Sequence, residues 1–217
     1  LTSLIPHRLP VYVDFSTQLS VQTGDALERL TLNDLITKYG IEVDKYALKG
    51  TGTLQPMGVL NEVGVTTIAG GTNGLAPTWK HVVDLETAVS TANALTGSLT
   101  YVTNPKVRGQ LLQTPKFTNG SEAIWADNNT LRGYGTQVST SVPGNLTKGS
   151  ASGICSAVIF ANWADLIMAS WGGLEVQTVV DKPGAIAGLK TIVATGFFNS
   201  KIRRTASFAK MVDALTP

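Results

Sequence analysis

Cysteine occurs once and histidine twice in the 217 residues. One cysteine excludes an intrachain disulfide and a thiolate-built metal site. Cys155 lies in the apolar run "GICSAVIF", which marks a buried thiol rather than a reactive one. His7 sits in a proline-rich arm, and His81 stands next to Val82 and Val83. Neither belongs to a paired-histidine motif, and Asp127-Asn128-Asn129 lacks the rest of a calcium loop. No metal and no cofactor is expected.

Charge is equally sparse. Charged residues make up 15%, and 17 basic against 15 acidic side chains leave a net charge of +2. That is no electrostatic footprint for nucleic acid, and the pair Arg203-Arg204 is too small to make one. No apolar run approaches the ~20 residues of a membrane-spanning helix, and no leader-peptide pattern is present. Catalytic motifs are missing too. There is no G-x-S-x-G, and Ser150 and Ser152 in "KGSASG" read as a turn. Asp25, Glu28, Asp84 and Glu86 read as helix-surface acids. The chain is not expected to be an enzyme.

Apolar residues reach 43% and glycine 22 residues, a folding composition with length enough for a sizeable core. Val11, Val13 and Phe15 alternate with polar neighbours, a strand signal that Leu19 and Val21 continue. At Asp25 the period changes to three and four, with Leu27, Leu30, Leu35, Ile36, Tyr39, Val43, Tyr46 and Ala47 on the repeat. Asp25 and Glu28 have capping-box spacing. A helix from Asp25 to Lys49 would be about 37 Å long at 1.5 Å per residue. Gly50 is placed to end it.

Beyond the helix the expected elements are a short strand at 63–68, a helix over 77–95 and a strand within "GSLTYVTNP". Asn104 and Pro105 then cap and open a short helix reaching Leu112. Residues 113–153 read as loop, docked by Trp125, Leu131 and Tyr134. Strands follow at 157–160, 166–169, 174–180 and 190–198, the last running on to Ile202, and the final "SFAKMVDALTP" extends the sheet or coils as a tail. Trp79 opens a helix, and Trp163 and Trp171 flank "ADLIMAS"; all three read as packing aromatics. The class is α+β.

The stretch "ALKGTGTLQPMGVLN" poses the sharpest question. A phosphate cradle would need a Gly-Lys-Ser/Thr ending or a strand before it and a helix after it. Here the glycines follow a helix, whose C-terminus carries the wrong partial charge for an anion. The alternative is structural: Gly50 and Gly52 take backbone angles closed to other residues, and Pro56 fixes the exit.

Read as a pattern, Leu48, Lys49, Gly50, Thr51, Gly52, Gln55, Pro56, Gly58 and Val59 after a long helix resemble a signature of the major capsid proteins of tailed double-stranded DNA phages. "VDFSTQL", "WKHVVDLETAV", "SLTYVTNPKVRGQL", "GYGTQVSTSVP", "AVIFANWADLIMASWGGLEVQTV" and "FFNSKIRRTASFAKM" resemble further family segments, in the same order. The resemblance implies a long spine helix, a peripheral domain and an axial domain. It assigns 11–69 to the peripheral domain, spine helix and linker, 70–185 to the axial domain, and 186–217 to closing strands that return to the peripheral domain. Gly50, Gly52, Gln55, Pro56 and Gly58 become the structural turn after the spine helix. The implied role is a virion subunit that assembles with copies of itself into pentamers and hexamers. Scaffold or portal proteins would meet it during assembly in the host cytoplasm, packaged DNA would touch it only loosely, and no membrane is involved. Against the family pattern the chain reads as N-terminally truncated, without the N-arm and most of the extended loop. Two other readings stay open. One is an encapsulin-like shell of a bacterial nanocompartment, which the Gln-Pro-x-Gly pattern disfavours. The other is a small-ligand or carbohydrate-binding domain, whose sign would be a deep polar pocket with converging carboxylates and aromatics.

Overall fold

The structure is a computed structural model that describes residues 3–125 and 128–216. Two sheets organise it. The first is narrow: β1 (His7–Ser16), β9 (Leu189–Ile202) and β8 (Leu166–Val179), in the order β1-β9-β8 with both pairs antiparallel. The second has seven strands. Its spine is β10 (Phe208–Leu215), β7 (Ala151–Asn162) and β3 (Leu99–Thr103). Short strands complete it: β2 (Thr66–Thr67) beside β10, β5 (Tyr134–Val138) and β4 (Thr130–Leu131) beside β3, and β6 (Leu146–Lys148) paired with β7.

The helix α2 (Asp25–Lys49) runs the full 25 residues that the periodicity requires. The capping-box spacing at Asp25 falls on a side chain outside the described set; Gly24 occupies the N-cap position without a side-chain bond. Leu35 packs on Ile192 and Ala194 of β9, with Val11, Val13 and Phe15 of β1 beside them. Gly196 of β9 makes that approach possible, because a Cβ there would lie 2.2 Å from the Tyr39 hydroxyl. Leu30, Ile36 and Ile41 of the same helix are exposed.

Before α2 the alternation at Leu19 and Val21 is overridden. Ser16 accepts a hydrogen bond from the Leu19 amide at 3.1 Å and starts a short helix, α1 (Thr17–Thr23). A good N-cap outweighs two apolar residues with nothing to pack against; Val21 is exposed.

The main core surrounds the seven-stranded sheet. Along β7 the even positions Val158 and Phe160 meet α3 (Trp79–Thr91) and α4 (Pro105–Gln113) through Val82, Leu85, Val89, Val107 and Leu111. The odd positions Ala157, Ile159 and Ala161 meet Leu48, Val59, Leu60 and Phe208 on the other face. Burial on both faces explains why this strand reads as a continuous apolar run. Each large side chain buried there contributes about 1.5–3 kcal/mol. The Asn104 side chain caps α4, accepting from the Val107 amide at 2.9 Å. Helix α3 is shorter than 77–95, because Thr78 caps it and Asn93 turns to φ 53° just beyond its end.

Several expectations are corrected. Residues 113–153 contain β4, β5 and β6, strands too short to show a period. The strands at 166–169 and 174–180 are one strand with a bulge between Trp171 and Glu175, where Gly172 adopts φ 73°. The strand at 63–68 shrinks to Thr66–Thr67. A turn of helix, α5 (Lys182–Ala187), links β8 to β9, capped by Asp181. Of the last two strands, β9 lies in the narrow sheet and β10 in the seven-stranded sheet, while β8 joins β9 rather than the strands of 70–165.

Candidate functional site: the turn beyond the long helix

A helix leaves its last four carbonyls without partners. Those of α2 belong to Tyr46, Ala47, Leu48 and Lys49, and the following segment answers all four. The Gly50 amide donates to Tyr46 O at 2.8 Å, Val59 to Ala47 O at 3.0 Å and Leu60 to Leu48 O at 2.9 Å. The Asn61 side-chain amide donates to Lys49 O at 2.9 Å and Gly50 O at 3.0 Å. Residues 51–57 form a small excursion between these bonds, closed by an antiparallel bridge between Thr51 and Met57. Gln55 donates from its side chain to the Thr51 hydroxyl at 2.8 Å inside it. Pro56 is buried and Leu54 stands exposed at the tip.

The structure thus brings Gly50, Gly52, Gln55, Pro56 and Gly58 into one turn, and gives the glycines different reasons. Gly50 has φ −56° and ψ 148°, angles open to any residue, which corrects the expectation made for it. It is glycine because a Cβ would come 2.0 Å from Pro56 O. Gly52 has φ +79°, the left-handed region expected. At Gly58 a Cβ would fall 2.3 Å from Gly50 N, since the returning chain crosses the helix end backbone against backbone. The missed contributor is Asn61. Its only sequence signal is a polar residue between the buried Leu60 and the next turn.

A buried lysine ties this turn to the seven-stranded sheet. Lys210 of β10 donates to Leu60 O at 2.8 Å and Glu62 O at 3.2 Å. Burial pushes its pKa down, and the Glu62 carboxylate acts in the opposite direction.

The other residues singled out fall elsewhere. Cys155 is fully buried, and desolvation raises its thiol pKa. His81 is buried at the start of α3, where Nδ1 accepts from the Thr78 amide at 3.1 Å. Glu86 is not a surface acid: it is buried in α3 and paired with Arg132, with the Tyr134 hydroxyl at 3.4 Å. Asp84 stays on the surface, paired with Lys80. The Trp163 indole donates to Thr100 O at 3.1 Å, and Trp79 packs against the main core. Trp171 remains partly exposed. Asp127 lies outside the described residues. Among the described residues no three His, Cys, Asp or Glu side chains gather as metal ligands. No described helix is long and apolar enough to cross a membrane. Four open hollows lie along the narrow sheet and α2, and none of them holds more than one carboxylate.

The arrangement is therefore mechanical: a rod locked at its end to a sheet. Known proteins share the fold. The chain is 27% identical over 187 residues to the major capsid protein of Halomonas phage phiHAP-1, a match covering 86% of this chain and 29% of that relative. The chain thus spans less than a third of the relative's length. Among solved structures, the capsid of an empty GTA particle superposes with TM-score 0.70 at 18% identity, over 96% of this chain and 72% of the other. The SrpI encapsulin complex of Synechococcus elongatus superposes with TM-score 0.64 at 14% identity, over 98% of this chain and 75% of the other. The Phage capsid family matches residues 2–213, and the chain belongs to that family.

Proposed function

We propose that this chain is the shell-forming part of a phage major capsid subunit, whose copies form pentamers and hexamers of an icosahedral shell around packaged double-stranded DNA. The observation that carries the reading is the family match across residues 2–213, with a phage major capsid protein as sequence relative. In this reading α2 is the spine helix, and the turn at Gly50, Gly52, Gln55, Pro56 and Gly58 sets its angle to the seven-stranded sheet. The narrow sheet with α2 is the peripheral part. The seven-stranded sheet with α3 and α4 is the axial part. The role is structural, in the virion and in the host cytoplasm during assembly, with scaffold or portal proteins as transient partners. A net charge of +2 fits loose contact with DNA.

The superposition on an encapsulin supports a second reading, a nanocompartment shell. Both readings need closed assembly from one repeated contact set. Expression of the whole reading frame that carries this chain, followed by electron microscopy, tests them together. Closed shells holding nuclease-protected DNA in the phage host support the first; closed shells filled with one enzyme support the second. Monomers under all conditions overturn both.

A further inference from the structure

Asn-Gly is the dipeptide most open to spontaneous deamidation, because glycine leaves its amide nitrogen unshielded. It occurs twice in this chain, at Asn73-Gly74 and Asn119-Gly120. Both asparagines are exposed, but their surroundings differ. Asn73 is fastened on both sides. Its Oδ1 accepts from the Ser150 amide at 3.0 Å. Gly74 lies against β10, where a Cβ would fall 2.6 Å from Asp213 O. The Leu75 amide donates to Asp213 O at 3.2 Å, and Leu75 O accepts from the Leu215 amide at 2.9 Å. Turning the Asn73 carboxamide onto Gly74 N breaks the Ser150 bond and twists a peptide that Leu75 holds to the sheet.

Asn119 sits at the tip of loop 115–123. The loop is tied at its base, where the Lys116 amide donates to Glu122 O at 2.9 Å and the two side chains pair at 2.8 Å. In the tip the Gly120 amide donates to Phe117 O at 2.9 Å. This bond closes a turn in which Asn119 takes φ 71°, a left-handed angle that asparagine tolerates. Phe117, Thr118 and Gly120 are exposed around it.

We propose that Asn119 is a site of covalent ageing, deamidating through a succinimide while the fold keeps Asn73 intact. The Gly120 nitrogen gives its proton to hydroxide and attacks Asn119 Cγ. A C–N bond forms there. The bond from Cγ to the side-chain nitrogen breaks, and that nitrogen takes a proton from water and leaves as ammonia. Water then opens the ring. Attack at the side-chain carbonyl gives aspartate, and attack at the main-chain carbonyl gives isoaspartate. No electrons change hands, and water is the only co-reactant. The product sets a carboxylate three residues from Lys116 and lowers the net charge of +2 by one. The chemistry is independent of shell assembly.

Ageing the folded chain at mildly alkaline pH tests it. Peptide mass spectrometry locates each exchange of NH2 for OH, and an isoaspartyl methyltransferase labels the isoaspartate. Asn119 should convert at least about tenfold faster than Asn73, the factor for a local opening of about 1.4 kcal/mol at Asn73. In urea both segments unfold, and the two rates should become equal. Gly120→Ala should suppress conversion at Asn119 with the circular dichroism spectrum unchanged. Equal rates in the folded chain, or no conversion at Asn119, overturn the proposal. A tenfold ratio that persists in urea overturns the protection assigned to Asn73.

Discussion

Gly58→Ala should be among the most damaging single-methyl additions to this chain, and the reason is space. Gly58 does not need a left-handed angle. Its Cβ would lie 2.3 Å from Gly50 N and 2.6 Å from both Leu48 C and Lys49 N. All three are backbone atoms, so no side chain can swing away. Ordinary contact requires the two segments to separate by about 1 Å. The amide bonds of Gly58, Val59 and Leu60 to the helix end measure 2.9, 3.0 and 2.9 Å, and that separation stretches all three out of range. Each is worth about 1 kcal/mol net, and buried carbonyls left unpaired add to the loss. The expected cost is about 2–4 kcal/mol. For a chain of this length that lowers the melting temperature by roughly 5–15 °C. Thermal unfolding followed by circular dichroism measures it, and hydrogen exchange should show amides 58–60 losing protection. A melting temperature within about 1 °C of the parent would refute the argument that backbone crossing fixes this glycine.

Gly40 lies mid-helix, and a Cβ added there would meet nothing within 4 Å, so Gly40→Ala should raise stability by about 0.5–1 kcal/mol in the same melt. Lys210→Met removes the ammonium that serves Leu60 O and Glu62 O, and should cost about 2–3 kcal/mol in urea unfolding. His81 titrates below its ordinary 6.5, mainly because burial disfavours the imidazolium, with Lys80 acting in the same direction and Asp84 and Asp213 opposing. The unfolded chain therefore binds the proton more readily, so this stability is complete above pH 6.5 and is lost as pH falls through the folded value. His81→Gln keeps an acceptor for the Thr78 amide, and its melting temperature should fall less than the parent's between pH 7 and 5. Equal pH slopes would refute the role given to His81.

How much of this is legible in the sequence depends on range. The rod from Asp25 to Lys49 is readable because 25 residues of one period average out local exceptions, Gly40 included. The Asn104 cap is readable because donor, cap and proline lie within four residues. The alternation at Leu19 and Val21 misleads because nothing in a local pattern says whether a second strand lies opposite. Glu86 misleads for a similar reason: its partner Arg132 is 46 residues away, on a hairpin too short to announce itself.

The turn after α2 shows where the limit lies. Its residues are legible as a set, because glycines and a proline after a helix have few uses. Their individual reasons are not. Gly52 obeys a rule about φ that any sequence reader can apply. Gly50 and Gly58 obey a rule about distance, and the distance is set by two pieces of chain that must cross. Asn61 is the link between them, since it bonds Lys49 O and Gly50 O only once the crossing exists. A substitution that keeps the composition of this stretch but reverses the order of Gly58 and Val59 would therefore preserve every local propensity and lose the turn. On the proposed function that crossing sets the angle between rod and sheet, and Lys210, 150 residues beyond Leu60, bonds to the returning chain.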